Sequence, residues 1–420
     1  MQLQVRTLLN KLHPLKHHVY ASTALIDRPK GPEIHVTIVP RKNSLARCAD
    51  CLRPGSTYDH QLERTWRFVP LWALAVILIY VPRRVSCGNC NRVVIEHMSW
   101  SCGKSDVADV YMSFLATWAG RLSWAETARI FGVSWQCVRS SIARVVTYGL
   151  EHRNLDGISA IGVDEICYRV GQKFITLVYQ VDAGSRRLLW ICDTRREKAF
   201  TAFFTWFGEQ RSAALEVVCS DMWAPYLKVI RLKAGGALNV LDKFHIVKHL
   251  NEGVDETRRR DAAELRKQGE DVTLKHSRWC LLKRPANLTA NQRGRLASLL
   301  KLNLRTARAY ILKEEFNHFW TYTSPTWAGK FLDRWCEDTM RSGIEPMKAK
   351  ARMLRNHRDL ILNYFRAKKA YSSGVVEGLN NKLRTVTKRS FGFRELDTLK
   401  LALFHTMGKL PEPEHAHRFA

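Results

Sequence analysis

Two kinds of side chain in this sequence have the type and spacing for metal chemistry. The first are thiols in two close pairs, Cys48-Ala-Asp-Cys51 and Cys87-Gly-Asn-Cys90. Two thiolates from one tight turn face the same ion, and two such knuckles complete a four-sulfur tetrahedral site that suits Zn²⁺. A site of that kind is closed, so it stabilises a fold and leaves no open position for catalysis. Gly88 is expected to supply the backbone freedom within the second knuckle. The 35 residues between the knuckles, Leu52 to Ser86, have room for a hairpin. The second kind are acids: Asp164 in Ile161-Gly-Val-Asp-Glu165, Asp221 in Val218-Cys-Ser-Asp-Met-Trp-Ala-Pro-Tyr226, and Glu377 in Ser372-Ser-Gly-Val-Val-Glu-Gly-Leu-Asn-Asn-Lys-Leu-Arg384. Three carboxylates in one pocket repel unless cations neutralise them, and two Mg²⁺ ions about 3.5–4 Å apart do so. Carboxylate oxygens suit that hard ion.

The elements around these residues decide whether they can meet. Ala160–Asp164, Lys173–Val181 and Arg187–Cys192 read as three successive strands, with turn chemistry at Asp182–Arg187. A helix at Glu197–Arg211, a strand ending at Asp221, a helix at Ala224–Lys233 and a strand at Ala237–Leu241 follow. That is a ribonuclease H-like mixed α/β order, in which Asp164 and Asp221 each close a strand. Glu165 is second choice to Asp164, since strand neighbours face opposite sides. Glu377, Asn381 and Arg384 share one side of a helix. Asp242 and His245, in Leu241-Asp-Lys-Phe-His245, either shape the pocket or bind the scissile strand, or serve as a helix cap and a packed or solvated ring. Trp223 and Tyr226 either stack on a flipped base or pack under their loop.

The 420 residues carry a net charge of +28, with 46% hydrophobic content, so the chain holds two or three domains with real cores. The surplus calls for a polyanionic partner. The longest apolar run, Leu71–Val81, is 11 residues. A membrane helix needs about 20, so the run reads as one buried strand. With no signal-peptide core after Met1, the expected location is the cytoplasm. Eleven cysteines, an odd number with two paired motifs, indicate metal ligands in a reducing compartment. Cys102, Cys137, Cys167, Cys192, Cys219, Cys280 and Cys336 read as core filler.

A DNA-reading element lies between the knuckles and the acids. Ser123-Trp-Ala-Glu126 is a capping box opening a short helix to about Phe131. Gly132-Val133-Ser134 makes a turn, and Ser134 caps a second helix to about Thr147. This is the helix-turn-helix outline. Ile130, Val133, Val138 and Ile142 form the packed face, while Gln136, Arg139 and Ser140 point into a major groove and Arg144 meets a phosphate. Lys382, Arg384, Lys388, Arg389 and Arg394, with no acid among them, track phosphates or form a solvated helix face. From Phe244 to Lys369 the chain is helical and basic, with Pro285, Pro325 and Pro346 as interruptions.

Taken in order, these blocks resemble bacterial insertion-sequence transposases of the ISL3 family. The resemblance rests on the paired Cys motifs, Val163-Asp-Glu165, Ser220–Tyr226, Asp242–His245, and Glu377–Arg384 continuing to Arg389-Ser-Phe-Gly-Phe-Arg394. It implies an α/β fold with a ribonuclease H-like catalytic core and a helical insertion, preceded by a zinc ribbon and a helix-turn-helix domain. The expected limits are 1–102 for the β-rich ribbon domain and 103–155 for the helix-turn-helix. The core spans 156–245 and 369–410 around an insertion at 246–368, and 411–420 is a frayed tail. It also implies Asp164, Asp221 and Glu377 as the Mg²⁺-binding catalytic triad, and double-stranded DNA (terminal inverted repeats and target) as partner. A homodimer or higher oligomer would assemble on paired ends. The rival readings are a DNA-binding regulator without catalysis and a structure-specific nuclease.

Overall fold

A computed structural model describes residues 4–413 except 30, 102, 170–172, 195–196, 271–272, 303, 370–372, 390–392 and 394. The side chains of 169, 173, 373–377 and 389 also fall outside the description. The chain forms two units, Met1–Asn154 with Thr385–Ala420, and Leu155–Arg384.

The first unit opens with α1 (Val5–Leu12) and two four-stranded sheets. One sheet joins β1 (His18–Ile26), β2 (Glu33–Pro40), β5 (Arg64–Leu71) and β6 (Leu74–Tyr80) in the order β1-β2-β6-β5. Alternation buries Ile34, Val36 and Ile38 of β2 against Trp66, Leu78 and Trp100. The apolar run expected as one strand supplies strand β6, but its first residues form the turn that joins β6 to β5. Trp72 and Ala73 turn the chain at φ 49° and 64°. Two-residue hairpin turns need positive φ and usually announce it with Asn-Gly; Trp-Ala carries no such signal.

The other sheet, β3 (Ala46–Arg47), β4 (Pro54–His60), β7 (Arg83–Cys87) and β8 (Arg92–Ile95), is mostly exposed. Its buried side chains include Ala46, Cys48, Val85 and Cys87, too few for an apolar core. Just past β8 sits the buried carboxylate of Glu96. Arg83 donates to it from Nη2 at 2.7 Å and Nε at 3.0 Å, and Tyr80 from its hydroxyl at 2.5 Å. Burial would raise this carboxyl, but the nearby His18 ring and the bonds from Arg83 and Tyr80 outweigh it and hold it down at about 2. Glu96→Gln leaves the buried guanidinium uncompensated, so denaturant melts should show a loss of about 3–5 kcal/mol. A loss below about 1 kcal/mol would mean that water reaches Arg83.

Three helices follow: α2 (Asp109–Arg121), α3 (Trp124–Ile130) and α4 (Trp135–His152). The capping box at Ser123 and Glu126 is present, and the Ser134 hydroxyl accepts from the Cys137 N–H. Helix α4 runs five residues beyond Thr147, the expected end. Val138 and Ile142 are buried, but Ile130 is 58% exposed and Ala128 faces inward instead. The turn at Gly132, φ +59°, lies between Ile130 and Val133, so helical spacing across it does not describe one face. Helix α16 (Leu396–Met407) packs on α4. Gly149 of α4 lets the next residues approach closely: a Cβ there would lie 2.5 Å from Leu410 Cβ and 3.0 Å from the Pro411 oxygen. Leu410 joins the core of this bundle; most of the tail expected to fray, 414–420, lies outside the described residues. The block expected at 369–410 is divided too, since α16 belongs with the first unit.

Burial pushes the His405 imidazole of α16 down to about 4, against an interaction with the Ala116 backbone that raises it. The unfolded chain then binds a proton that the folded one refuses. The associated stability is complete above about pH 6.5 and is lost as pH falls through the folded value, by at most about 1.4 kcal/mol per pH unit. Melts of wild type and His405→Leu between pH 7 and 4 should show a flatter loss in the variant. Equal slopes would remove His405 from the acid response.

The second unit holds one sheet and a helical region. Its strands are β9 (Ala160–Arg169), β10 (Lys173–Gln180), β11 (Arg187–Cys192), β12 (Val217–Ser220) and β13 (Leu238–Leu241), in the order β11-β10-β9-β12-β13. The first three are antiparallel; β12 runs parallel to both β9 and β13. The helix expected at 197–211 is two, α5 (Glu197–Phe207) and α6 (Glu209–Ala213), parted at Gly208 with φ +90°. They pack with α7 (Ala224–Lys233) over an aromatic core of Phe200, Phe203, Phe207 and Tyr226. Then come α8 (Lys243–Lys267), α9 (Arg278–Leu282), α10 (Ala290–Lys301), α11 (Arg305–Phe316), α12 (Pro325–Arg341), α13 (Glu345–Asn356), α14 (Arg358–Arg366) and α15 (Ser373–Arg389). Pro325 and Pro346 start helices rather than interrupt them, as the missing N–H permits at a first turn. Of the cysteines expected as filler, Cys219, Cys280 and Cys336 are buried, Cys137 and Cys192 are half-buried and Cys167 is exposed; Cys102 lies outside the described residues. No described helix is long and apolar enough to cross a membrane.

Candidate active site and cysteine knuckles

The parallel pairing of β9 and β12 sets two acids side by side. Val217 pairs with Ala160, Val218 with Ile161 and Cys219 with Gly162. Two residues further along each chain stand Asp221 and Asp164. The ladder stops at Cys219 and Gly162, and beyond it both acids reach the same cavity. Asp164 does not close its strand, as the sequence led one to expect; β9 continues to Arg169 and Asp164 pairs with Leu177. Asp221 does follow its strand directly, and its Oδ1 accepts from the Trp223 N–H at 3.0 Å.

Asp164, Glu165 and Asp221 line one cavity of about 450 Å³, with Trp223, His245, Lys248, His249 and His357 among the other walls. Burial pushes the Asp164 carboxyl above its ordinary value, and the charge of Asp221 adds to the shift; the Glu165 N–H, His245 and Asn380 oppose it. The Glu165 N–H donates to Asp164 Oδ1 at 2.6 Å. Asn380, almost fully buried, donates its amide N–H to Asp164 Oδ2 and accepts from the Tyr179 hydroxyl at 3.1 Å. Sequence reasoning chose Asn381, which is exposed. A buried partner for Asp164 was recoverable only by knowing which side of α15 meets the sheet. Glu377 lies three residues earlier in α15; its side chain is outside the described residues.

The remaining expectations resolve individually. Asp242 caps α8, its Oδ1 accepting from the Phe244 N–H at 2.6 Å, and His245 Nε2 lies 3.7 Å from its other oxygen. Tyr226 is buried, with its hydroxyl 3.0 Å from that of Thr176, so it packs under the loop and cannot stack on a base. Trp223 leans edge-on against Tyr226, ring centroids 4.8 Å apart. The sequence missed His249 and His357. His249 falls one helical turn after His245; burial lowers its pKa while Glu252, 3.1 Å away, opposes.

On α4, Gln136 is exposed and Ser140 half-buried. Arg139 and Arg144 are already engaged: Arg139 Nε donates to the Thr398 hydroxyl at 3.2 Å, and Arg144 Nη2 to Asp109 at 2.7 Å. Both brace the helical bundle while staying partly exposed. Lys382, Arg384 and Lys388 are exposed on α15; the Arg389 side chain and Arg394 lie outside the described residues.

The four thiols of Cys48, Cys51, Cys87 and Cys90 converge, all within 4.8 Å of one another. Cys48 and Cys90 sulfurs are 4.0 Å apart, and those of Cys51 and Cys87 3.6 Å. A tetrahedron with Zn–S of about 2.3 Å has sulfurs about 3.8 Å apart, so the donor set and its spacing fit zinc. The knuckles turn at Leu52 and Asn91, with φ 59° and 49°. Gly88, expected to supply that freedom, has no positive φ.

Comparison with known proteins supplies the class: residues 161–403 match the DDE family model described as transposase, named for ISL3. Residues 44–90 match the zinc-finger of the IS204/IS1001/IS1096/IS1165 transposases. The chain belongs to the ISL3 family of transposases. It is 28% identical over 350 residues to the transposase for insertion sequence element IS1001 of Bordetella parapertussis, covering 83% of this chain and 85% of that one. It is 28% identical over 418 residues to the transposase for IS1557 of Mycobacterium tuberculosis (strain CDC 1551 / Oshkosh), covering 92% and 91%.

Proposed function

We propose that this transposase binds the terminal inverted repeats of an insertion element, cuts the DNA beside them and joins the freed 3′-hydroxyl to target DNA. The observation that carries the reading is that Asp164 of β9 and Asp221, just past the parallel neighbour β12, line one cavity. The strand order β11-β10-β9-β12-β13 supports a ribonuclease H-like core, with α8 to α14 as its helical insertion. Asn380 against Asp164 brings α15 to the acids and supports Glu377, one helical turn earlier, as the third ligand. An Asp164 carboxyl raised by burial and by the charge of Asp221 favours a cation between the two, which would relieve the repulsion. Mg²⁺ held there would activate the attacking oxygen and stabilise the leaving one. Asp164 and Asp221 hold and orient, Asn380 and the Glu165 N–H fix the Asp164 oxygens, and the histidine wall faces the strand being cut.

The α3–turn–α4 segment supports a helix-turn-helix, and the knuckles a zinc ribbon, both serving end recognition. Two or more copies would assemble on paired ends in the bacterial cytoplasm. Labelled element ends incubated with the protein, target DNA and Mg²⁺ test the reading. Cleavage followed by joining is the expected result. Binding without cleavage would make the chain a regulator; cutting of branched DNA without joining would make it a structure-specific nuclease.

A further inference from the structure

Two cations meet at Trp320 in the second unit, outside the acid-lined cavity, and the charge of a third acts on one of them. Lys243 Nζ lies 4.7 Å from the Trp320 ring centroid. Lys369 Nζ donates to the Trp320 carbonyl at 2.9 Å. Arg284, exposed at the end of the segment following α9, is close enough that its charge is felt at Lys243. Among the described residues no carboxylate pairs with any of the three. Burial lowers the Lys243 ammonium, and the charges of Arg284 and Lys369 lower it further. Like charges held together without a counter-ion are unfavourable in the free protein and favourable once an anion sits among them. Lys368 and Lys369 both occupy left-handed backbone, at φ 51° and 59°, a conformation that costs a non-glycine residue energy and that accompanies Lys369 reaching Trp320.

The position of the cluster selects the anion. Lys243 opens α8 two residues before His245, which lines the acid cavity. Two residues along a helix turn a side chain about 200° away, so one helix end presents His245 to the acids and Lys243 to the cluster. We propose that Lys243, Arg284 and Lys369 form a binding site for a backbone phosphate of the DNA strand being cut, neighbouring the phosphate at Asp164 and Asp221. The site rests on the transposase reading above. It holds the strand in register, so the three are positioning residues.

The test uses the full chain and labelled element ends, with Arg284→Gln as the main variant because Arg284 is exposed and makes no side-chain hydrogen bond or ion pair among the described residues. The variant alone should melt no lower than wild type, since removing one cation relieves the repulsion. Binding should weaken, and the slope of log affinity against log salt should shrink by about 0.9, one phosphate contact. Lys243→Gln should do the same, while Lys243→Arg retains wild-type binding. Replacing single phosphates near the cut by uncharged methylphosphonates should weaken wild type at one position and leave Arg284→Gln indifferent there. An unchanged salt slope in both Gln variants, with wild type still cutting and joining, overturns the cluster and leaves the transposase reading standing. Absence of cutting by wild type would strike that reading instead. A melting shift by inorganic phosphate that vanishes in Arg284→Gln, with DNA binding unaltered, would make this a free-anion site and overturn the DNA assignment.

Discussion

Asp221→Ala should bind element ends as wild type does and neither cut nor join them. The loss follows from charge. With one of two adjacent carboxylates gone, the remaining oxygens neither neutralise nor orient a divalent ion, and the transition state loses several kcal/mol of stabilisation. That corresponds to a rate reduction on the order of 10³-fold or more. Unfolding does not account for such a result, because Asp221 lies at the mouth of a cavity and its charge raises the neighbouring Asp164 carboxyl. Removing it relieves repulsion, so the thermal midpoint of the metal-free variant should be no lower. Gel-shift, cleavage and melting measurements on one preparation separate these outcomes. Surviving cleavage would take Asp221 out of the mechanism.

Cys87→Ser should lose its zinc, from about one ion per chain to none, and with it the order of the exposed β3-β4-β7-β8 sheet. The size of the effect follows from what that sheet lacks. Its neighbour is held by Trp66, Leu78 and Trp100, whereas this sheet buries little beyond Ala46, Val85 and two of the thiols. Apparent zinc binding to such sites is worth about 10–16 kcal/mol in isolated finger peptides, and there binding energy is folding energy. Zinc analysis, together with proteolysis around Asp50 and Asn89, should show the ion lost and the knuckles opened. Retained zinc, or protection equal to wild type, would mean that the sheet stands on other contacts. End binding should fall alongside, while the second unit keeps its own core around Phe200 and Phe203.

The chemistry-bearing residues were more legible than the surfaces they face. Cysteine spacing needs only local geometry, and the four sulfurs meet as expected. Asp221 was readable because a buried apolar strand stops at it. Asp164 was harder, because two adjacent acids, Asp164 and Glu165, look like a strand end, yet the chain runs on through Ile166 and Cys167 paired along β10. The Trp72-Ala73 turn hides because neither residue is a usual bearer of positive φ. Periodicity assigned Arg139 and Arg144 correctly to the outside of α4. It gave no notice that Thr398 on α16 and Asp109 on α2 would claim them, since those partners are distant in sequence. Asn380 was missed for the same reason: Asn380 and Asn381 are equivalent until one knows which side of α15 meets the sheet.

The central claim is that side chains from β9, from the end of β12 and from α15 share a divalent cation. Mn²⁺ binding to the full chain on an element end, followed by electron paramagnetic resonance, tests it most directly. Asp164→Asn, Asp221→Asn and Glu377→Gln should each lose the bound-ion signal while still binding DNA. If all three variants hold Mn²⁺ as wild type does, those carboxylates are not the ligands and the account is wrong.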